Sequence, residues 1–303
     1  MSGTVNPRLV GVGVGPGDPD LVTYRAVRVL REATVVFVPV SDGHGPYGPA
    51  PGSPSPTDRP GTATGAGAGA GPPGRAEVTV RAHVDHDRIV TLPFRMAGDA
   101  DYLGPARVVA AALRGETTGT ADGVPDNAPP GTLAGPATAP DTGPGSGSGS
   151  GITVAFATIG DPNLYSTFTA LAAAVRTLLP DVALDTVPGI TAMQDLAARS
   201  GTVLAHGTET LALLPLTAGV EAYRSAVAGF DTVVAYKGGR ALPAVRGVLA
   251  DAARLDGPAG HAVYGAALGL PEQDIRPAAD LEPGETGPYL STVLATRRAR
   301  WPR

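Results

Sequence analysis

Short apolar runs alternate along the chain with stretches whose apolar residues recur at helical spacing, the pattern of an α/β protein. Arg8–Gly13 reads as a strand and Pro19–Glu32 as a helix with Val22, Ala26, Val29 and Leu30 on one face, followed by a second strand at Thr34–Pro39. Ile152–Thr158 is the next strand. It leads into a helix over Asn163–Leu179, where Leu164, Phe168, Leu171, Val175 and Leu178 keep helical spacing. Ala183–Val187 predicts a strand, Ala192–Ser200 a helix stopped by Gly201, and Leu211–Leu214 a short strand. Strands at Thr232–Tyr236, His261–Ala266 and Tyr289–Ala295 then alternate with helices at Val220–Gly229 and Leu242–Leu255. A boundary near Leu179–Ala183 divides the chain into two α/β domains, 1–180 and 181–303. Periodicity leaves open whether the second sheet is parallel or mixed.

The pattern breaks twice. His44–Gly74 is dominated by Pro, Gly, Ala, Ser and Thr, with the run A-G-A-G-A-G, and Gly115–Gly151 ends in G-P-G-S-G-S-G-S-G. Neither stretch has enough apolar surface to offset the entropy of ordering it, so flexible insertions in surface loops are expected at 44–74 and 115–151. The apolar content of 43% is sufficient for a substantial core in the rest of the 303 residues.

A net charge of −5 disfavours a nucleic-acid partner, because phosphate binding needs a concentrated basic surface. The absence of cysteine removes disulfides, thiolate metal sites and cysteine nucleophiles. No long apolar stretch and no basic-plus-apolar leader occurs, so the expectation is a cytoplasmic protein without a membrane partner. Lys237 is the only lysine, and arginine carries the remaining positive charge.

Four glycine turns each close an apolar strand. The first, L-V-G-V-G-V-G-P-G-D-P at Leu9–Pro19, places Asp18 to cap the next helix with Pro19 at its first position. The dinucleotide fingerprint G-x-G-x-x-G fails there: the third glycine falls on Pro16 counted from Gly11 and on Asp18 counted from Gly13. No acidic residue ends the second strand either, so a nicotinamide enzyme is disfavoured. In the second turn, T-I-G-D-P-N-L-Y at Thr158–Tyr165, Gly160 bends the chain, while Asp161 can cap a helix that Pro162 opens. Open α/β sheets bind ligands at such carboxyl ends of strands. The third, V-P-G-I-T-A-M-Q at Val187–Gln194, puts Thr191 and Ala192 at a helix N-terminus. The fourth, V-A-Y-K-G-G-R at Val234–Arg240, sets Lys237 and Arg240 around a double glycine and suits a carboxylate-bearing ligand. Taken singly, each turn equally describes an ordinary tight joint. His83 and His86 lie beside Asp85 and Asp87 but lack further nearby ligands, so no metal is expected. Ser166, Thr167 and His206 lack the G-x-S-x-G elbow of a hydrolase.

As a set and in this order, the turns resemble the tetrapyrrole methylase family, the corrin and sirohaem methyltransferases that use S-adenosylmethionine. The resemblance rests on V-G-V-G-P-G-D-P-D-L-V-T at Val12–Thr23, G-D-P-N-L-Y-S-T at Gly160–Thr167, V-P-G-I-T-A at Val187–Ala192 and Y-K-G-G-R at Tyr236–Arg240. It covers nearly the whole chain apart from the two low-complexity stretches. With G-P-Y-L-S-T-V-L at Gly287–Leu294, the combination is most similar to the branch that methylates precorrin-2 at C20, and Tyr24 departs from that pattern where leucine is expected.

The resemblance implies a two-domain tetrapyrrole methylase fold with the ligand cleft between the domains, and a homodimer. It implies S-adenosylmethionine as methyl donor, contacted by Pro16, Gly160, Asp161, Pro162, Tyr165, Thr191, Ala192, Tyr236 and Ala267, the last in Y-G-A-A. The implied partner is precorrin-2 or its cobalt complex, for whose carboxylates Arg25, Arg28, Lys237 and Arg240 are candidate anchors. Aligning the acceptor carbon with an already activated methyl supplies most of the acceleration, so no essential nucleophile is expected. A base must still remove or relocate a proton after alkylation, and Asp18 is the candidate. Metal-free or cobalt-bound substrate, the position methylated, and a non-catalytic ligand-binding protein all remain open at this point.

Overall fold

The computed structural model describes residues 6–41, 74–94, 102–116 and 151–298. They form two compact units: residues 6–14, 22–41, 74–94, 102–116 and 151–189 in the first, and residues 15–21 and 190–298 in the second. Most of the two stretches expected as insertions lies outside the described residues.

The first unit contains strands β1 (Arg8–Gly13), β2 (Val35–Ser41), β3 (Ile89–Phe94), β4 (Thr153–Thr158) and β5 (Ala183–Val187). All pair in parallel, in the order β3-β2-β4-β1-β5. Helices α1 (Tyr24–Glu32), α2 (Arg75–Arg81), α3 (Leu103–Leu113) and α4 (Phe168–Leu178) connect them. Leu9, Phe37, Val154 and Phe156 pack on one face with Val109, Leu113, Leu171 and Val175 of α3 and α4. Val10, Val12, Val36, Val38, Ala155 and Ala157 pack on the other with Ala26, Leu30, Ala76 and Val80 of α1 and α2. Because helices cover both faces, β1, β2 and β4 read as nearly continuous apolar runs rather than alternating ones.

Both helices after the first two glycine turns start later than their spacing predicts. Pro19–Leu21 forms a separate 3-10 turn, and α1 is capped by Thr23, whose Oγ1 accepts from the Ala26 N–H at 3.2 Å. Ser166 Oγ accepts from the Phe168 N–H at 3.1 Å where α4 begins. Asp18 and Asp161 therefore cap neither helix, and Pro19 and Pro162 open neither. At α1 the Thr23 hydroxyl takes the capping role, while at α4 the N-cap Thr167 makes no side-chain cap and Ser166, one residue before it, accepts from the first helical N–H.

The second unit contains helix α5 (Ala192–Ser200), strand β6 (Leu211–Pro215), helix α6 (Val220–Gly229), strand β7 (Thr232–Tyr236), helix α7 (Leu242–Asp251), and strands β8 (His261–Ala266), β9 (Asp274–Pro277) and β10 (Ser291–Thr296). Its sheet runs β6-β7-β10-β8-β9 and is mixed: β6 and β7 pair in parallel and the other neighbours antiparallel. Val233, Ala235, Tyr264 and Val293 face Tyr223, Val227, Val245 and Leu249 of α6 and α7. Val234, Val263 and Leu294 face Leu196 of α5. A capping box between Thr191 and Gln194 starts α5, and Gly201, at φ 69°, ends it. Among the described residues, no helix is long and apolar enough to cross a membrane.

Candidate active site

Parallel register in the first unit sets Gly13 opposite Thr158 and Val12 opposite Val187, so the turns after β1, β4 and β5 leave one edge of the sheet together. They touch through backbone. A Cβ on Gly13 would lie 2.5 Å from the Gly160 carbonyl oxygen and 2.6 Å from the Gly189 nitrogen, and one on Gly189 would overlap that same carbonyl. Asp161 stitches the two later turns: Oδ1 accepts from the Asn163 N–H at 2.8 Å and Oδ2 from the Gly189 N–H at 3.1 Å. Pro162 is buried behind it. Tyr165, in the same loop, is 42% exposed and held at φ 52°, and partial burial pushes its phenol up.

Residues 15–21 belong to the second unit. Pro16 and Gly17 are buried there, and the loop meets the turn after β8. A Cβ on Gly17 would lie 2.5 Å from the Leu268 carbonyl oxygen, and one on Gly269 would come within 2.8 Å of Asp18 Cβ. Ala267, buried at the start of that turn, has φ 50°. Both oxygens of Asp18 are engaged, Oδ1 with the Asp20 N–H at 3.0 Å and Oδ2 with Arg199 at 3.1 Å. Arg199 also donates to buried Asp195 at 2.7 Å, a bond that raises the guanidinium's pKa further.

At the end of β7, the Tyr236 hydroxyl accepts from the Met193 N–H at 2.9 Å. That amide is one of the first-turn donors of α5 that have no partner within the helix, so the bond fixes the helix end carrying Thr191 and Ala192. Lys237 follows at φ 59°, half-buried, and burial pushes its amine pKa down. Arg240 is exposed on the same turn, whereas Arg25 and Arg28 are exposed on α1 in the first unit.

Among the described residues, Tyr165, Lys237, Ala253 and Ala267 are the non-glycine residues with positive φ. Each such residue costs on the order of 1 kcal/mol or more, and the cost concentrates where backbone shape is functional. Three of the four stand in turns after β4, β7 and β8. The structure thus groups Gly160, Asp161, Pro162 and Tyr165 in one loop, Pro16 and Asp18 with the turn that starts at Ala267, and Thr191 and Ala192 with Tyr236. Sequence reading misses Gly189, Met193 and Arg199. The i,i+4 spacing of Asp195 and Arg199 was a visible signal for their pair, but the Asp18 contact spans 181 residues.

Rigid backbone turns at strand ends suit the alignment of a ligand more than covalent catalysis by a side chain. The sequence model of the tetrapyrrole (corrin/porphyrin) methylases matches residues 8–50 and 146–282. The chain belongs to this family. The methylase is 29% identical to a precorrin-2 C(20)-methyltransferase from Sinorhizobium sp over 298 residues, 97% of each chain. It is 25% identical to the cobalt-precorrin-2 C(20)-methyltransferase of Salmonella typhimurium, covering 97% of this chain and 98% of that one. Its fold superposes on the crystal structure of the methyltransferase CobJ with a TM-score of 0.57 at 18% identity, over 96% of this chain and 95% of that chain. The methylase therefore has the two-domain α/β fold of this family and is a methyltransferase. Residues 51–145, which include α2, β3 and α3, fall outside the match.

Proposed function

We propose that the methylase transfers a methyl group from S-adenosylmethionine to C20 of precorrin-2, giving precorrin-3A and S-adenosylhomocysteine in cobalamin biosynthesis. The end-to-end likeness to the Sinorhizobium precorrin-2 C(20)-methyltransferase carries this reading. The fit of the donor is supported by backbone turns too tight for side chains at Gly13 and Gly189, and by the strained Tyr165 and Ala267.

S-adenosylmethionine, when bound, supplies an activated methyl group. Gly160, Asp161, Pro162 and Tyr165, with Pro16, Thr191, Ala192, Tyr236 and Ala267, are the residues that would hold it. Arg25, Arg28, Lys237 and Arg240 offer positive charge to the carboxylates of the tetrapyrrole. Asp18 fixes its glycine loop through Arg199 and the Asp20 N–H, a role that suits its engaged oxygens better than taking a proton. A homodimer in the cytoplasm completes the proposal.

The cobalt complex of precorrin-2 is the second reading, favoured by the Salmonella relative. Anaerobic incubation of the protein with S-adenosylmethionine and either macrocycle, followed by product mass, tests both. One added methyl on precorrin-2 supports the first reading and one on the cobalt complex the second. Transfer to neither refutes both.

A further inference from the structure

Helix α5 starts at two candidate donor contacts and is bonded to the segments that carry two more. Thr191 and Ala192 stand at its N-terminal end, where the Tyr236 hydroxyl accepts from the Met193 N–H at 2.9 Å. Its last turn holds Arg199, whose guanidinium spans two carboxylates. Nε donates to Asp195 Oδ1 at 2.7 Å and a terminal nitrogen to Asp18 Oδ2 at 3.1 Å, the second bond joining residues 181 positions apart. Asp195 is 5% exposed, and its other oxygen is buried with no hydrogen-bond partner among the described residues. A carboxylate buried in this way depends on a charged donor, so the i,i+4 pair fixes the direction in which Arg199 leaves the helix. Asp18 is packed in turn against the bend that starts at Ala267: a Cβ on Gly269 would come within 2.8 Å of Asp18 Cβ, and Gln273 Oε1 closes that bend by accepting from the Gly269 N–H at 3.0 Å. Pro16, two residues before Asp18, is buried in the same loop.

Resting on the reading that S-adenosylmethionine is the methyl donor, we propose that Arg199 is a positioning residue for it. Held by Asp195, Arg199 clamps Asp18 and so sets the glycine loop at residues 15–21, with Pro16, at a fixed place relative to Thr191 and Ala192 at the other end of α5. A guanidinium suits this task because its planar fork can bond two carboxylates at once, whereas an ammonium is a point charge on a flexible stem. The helix carries the constraint along its nine residues. Arg199 touches no reacting atom. Its contribution is to donor binding, and the transfer step follows from alignment of the bound groups.

Calorimetry with S-adenosylhomocysteine on three variants tests the clamp. Asp18→Asn keeps an oxygen for the Asp20 N–H and leaves the Asp195–Arg199 pair intact, so it cuts the clamp alone. It is expected to weaken S-adenosylhomocysteine about tenfold, the loss of one charge-assisted bond. Arg199→Gln is expected to weaken it by a similar factor, and the double variant by no more than either alone, because both substitutions remove the same bond. In Asp18→Asn the KM for S-adenosylmethionine should rise by that factor while kcat at saturating donor stays within about threefold of wild type, and amide exchange across residues 15–21 should quicken. An ion pair that only stabilises the fold lowers the unfolding midpoint and leaves affinity and KM unchanged, and that result in folded Asp18→Asn overturns the role. Losses that add to about a hundredfold in the double variant overturn it too. If Arg199→Gln does not fold, Asp18→Asn decides the matter alone. A wild-type protein that does not bind S-adenosylhomocysteine overturns the donor reading and the role with it.

Discussion

The Asp161 carboxylate accepts a hydrogen bond from the Gly189 backbone N–H at 3.1 Å, joining two glycine turns that lie 28 residues apart. Its other oxygen closes its own loop through the Asn163 N–H at 2.8 Å. Asp161→Ala leaves both amides without this partner, and the expected cost is about 1–3 kcal/mol in a urea titration. S-adenosylhomocysteine affinity, measured by calorimetry, is expected to fall at least about tenfold, since 1.4 kcal/mol is enough for that change. Wild-type affinity in a folded Asp161→Ala protein contradicts the placement of the donor at this loop.

Gly189→Ala places a methyl group on the Gly160 carbonyl and within 2.8 Å of Gly13 Cα, and all three neighbours are backbone. Such overpacking costs about 1–3 kcal/mol, occasionally more. Gly247 lies inside α7 with nothing within 4 Å of a built Cβ. Gly247→Ala is therefore expected to be stabilising by up to about 1 kcal/mol. Denaturation midpoints of the two variants should move in opposite directions, and a common direction contradicts the close approach at Gly189.

Tyr236→Phe removes only the hydroxyl that accepts from the Met193 N–H at 2.9 Å. The expected loss is about 0.5–1.5 kcal/mol, together with faster amide hydrogen exchange in the first turn of α5. Unchanged exchange at Met193 contradicts the link between the end of β7 and α5.

Asp231 accepts from the Thr210 N–H at 2.9 Å and the Thr210 hydroxyl at 2.8 Å, and these bonds hold its carboxyl below the usual range. A pKa depressed by folding contributes stability that is present above the unfolded value, near pH 4, and is lost as pH falls through the folded one. Glu209, held down chiefly by its hydrogen bond with Arg298, behaves in the same sense. Thermal midpoints measured from pH 7 to pH 3 should therefore decline below about pH 4. The decline is expected to be shallower in Asp231→Asn, whose amide oxygen can still accept from Thr210. Parallel curves for the two proteins contradict the linkage.

Sequence periodicity gives Arg8–Gly13, Ala183–Val187, Ala192–Ser200, Val220–Gly229, Thr232–Tyr236 and His261–Ala266 with the observed bounds, and places β2, β4, β6 and β10 to within about two residues at each end. These segments have buried apolar residues at a clear period or a turn residue at their ends. It misses α2, β3, α3 and β9 for separate reasons. Arg75–Arg81 spans only seven residues beside a low-complexity stretch, and Leu103–Leu113 carries a Gly-Pro pair that reads as a breaker although it stands in the first turn. Ile89–Phe94 and Asp274–Pro277 are edge strands, each ending near a proline that edge pairing tolerates. The candidate site is legible as glycine turns because each one ends a strand. The bonds from Asp161 to Gly189 and from Tyr236 to Met193 are not legible, because chain spacing carries no information on which turns share a sheet edge or which strand faces α5.

Locating the methyl group added to precorrin-2 tests the central claim most directly. The purified protein is incubated anaerobically with S-adenosylmethionine and precorrin-2, the product mass is followed, and the new methyl is placed by NMR. A single methyl at C20, with one S-adenosylhomocysteine released per turnover, is the predicted result. A methyl at another carbon, or none from protein shown to bind S-adenosylhomocysteine, contradicts it.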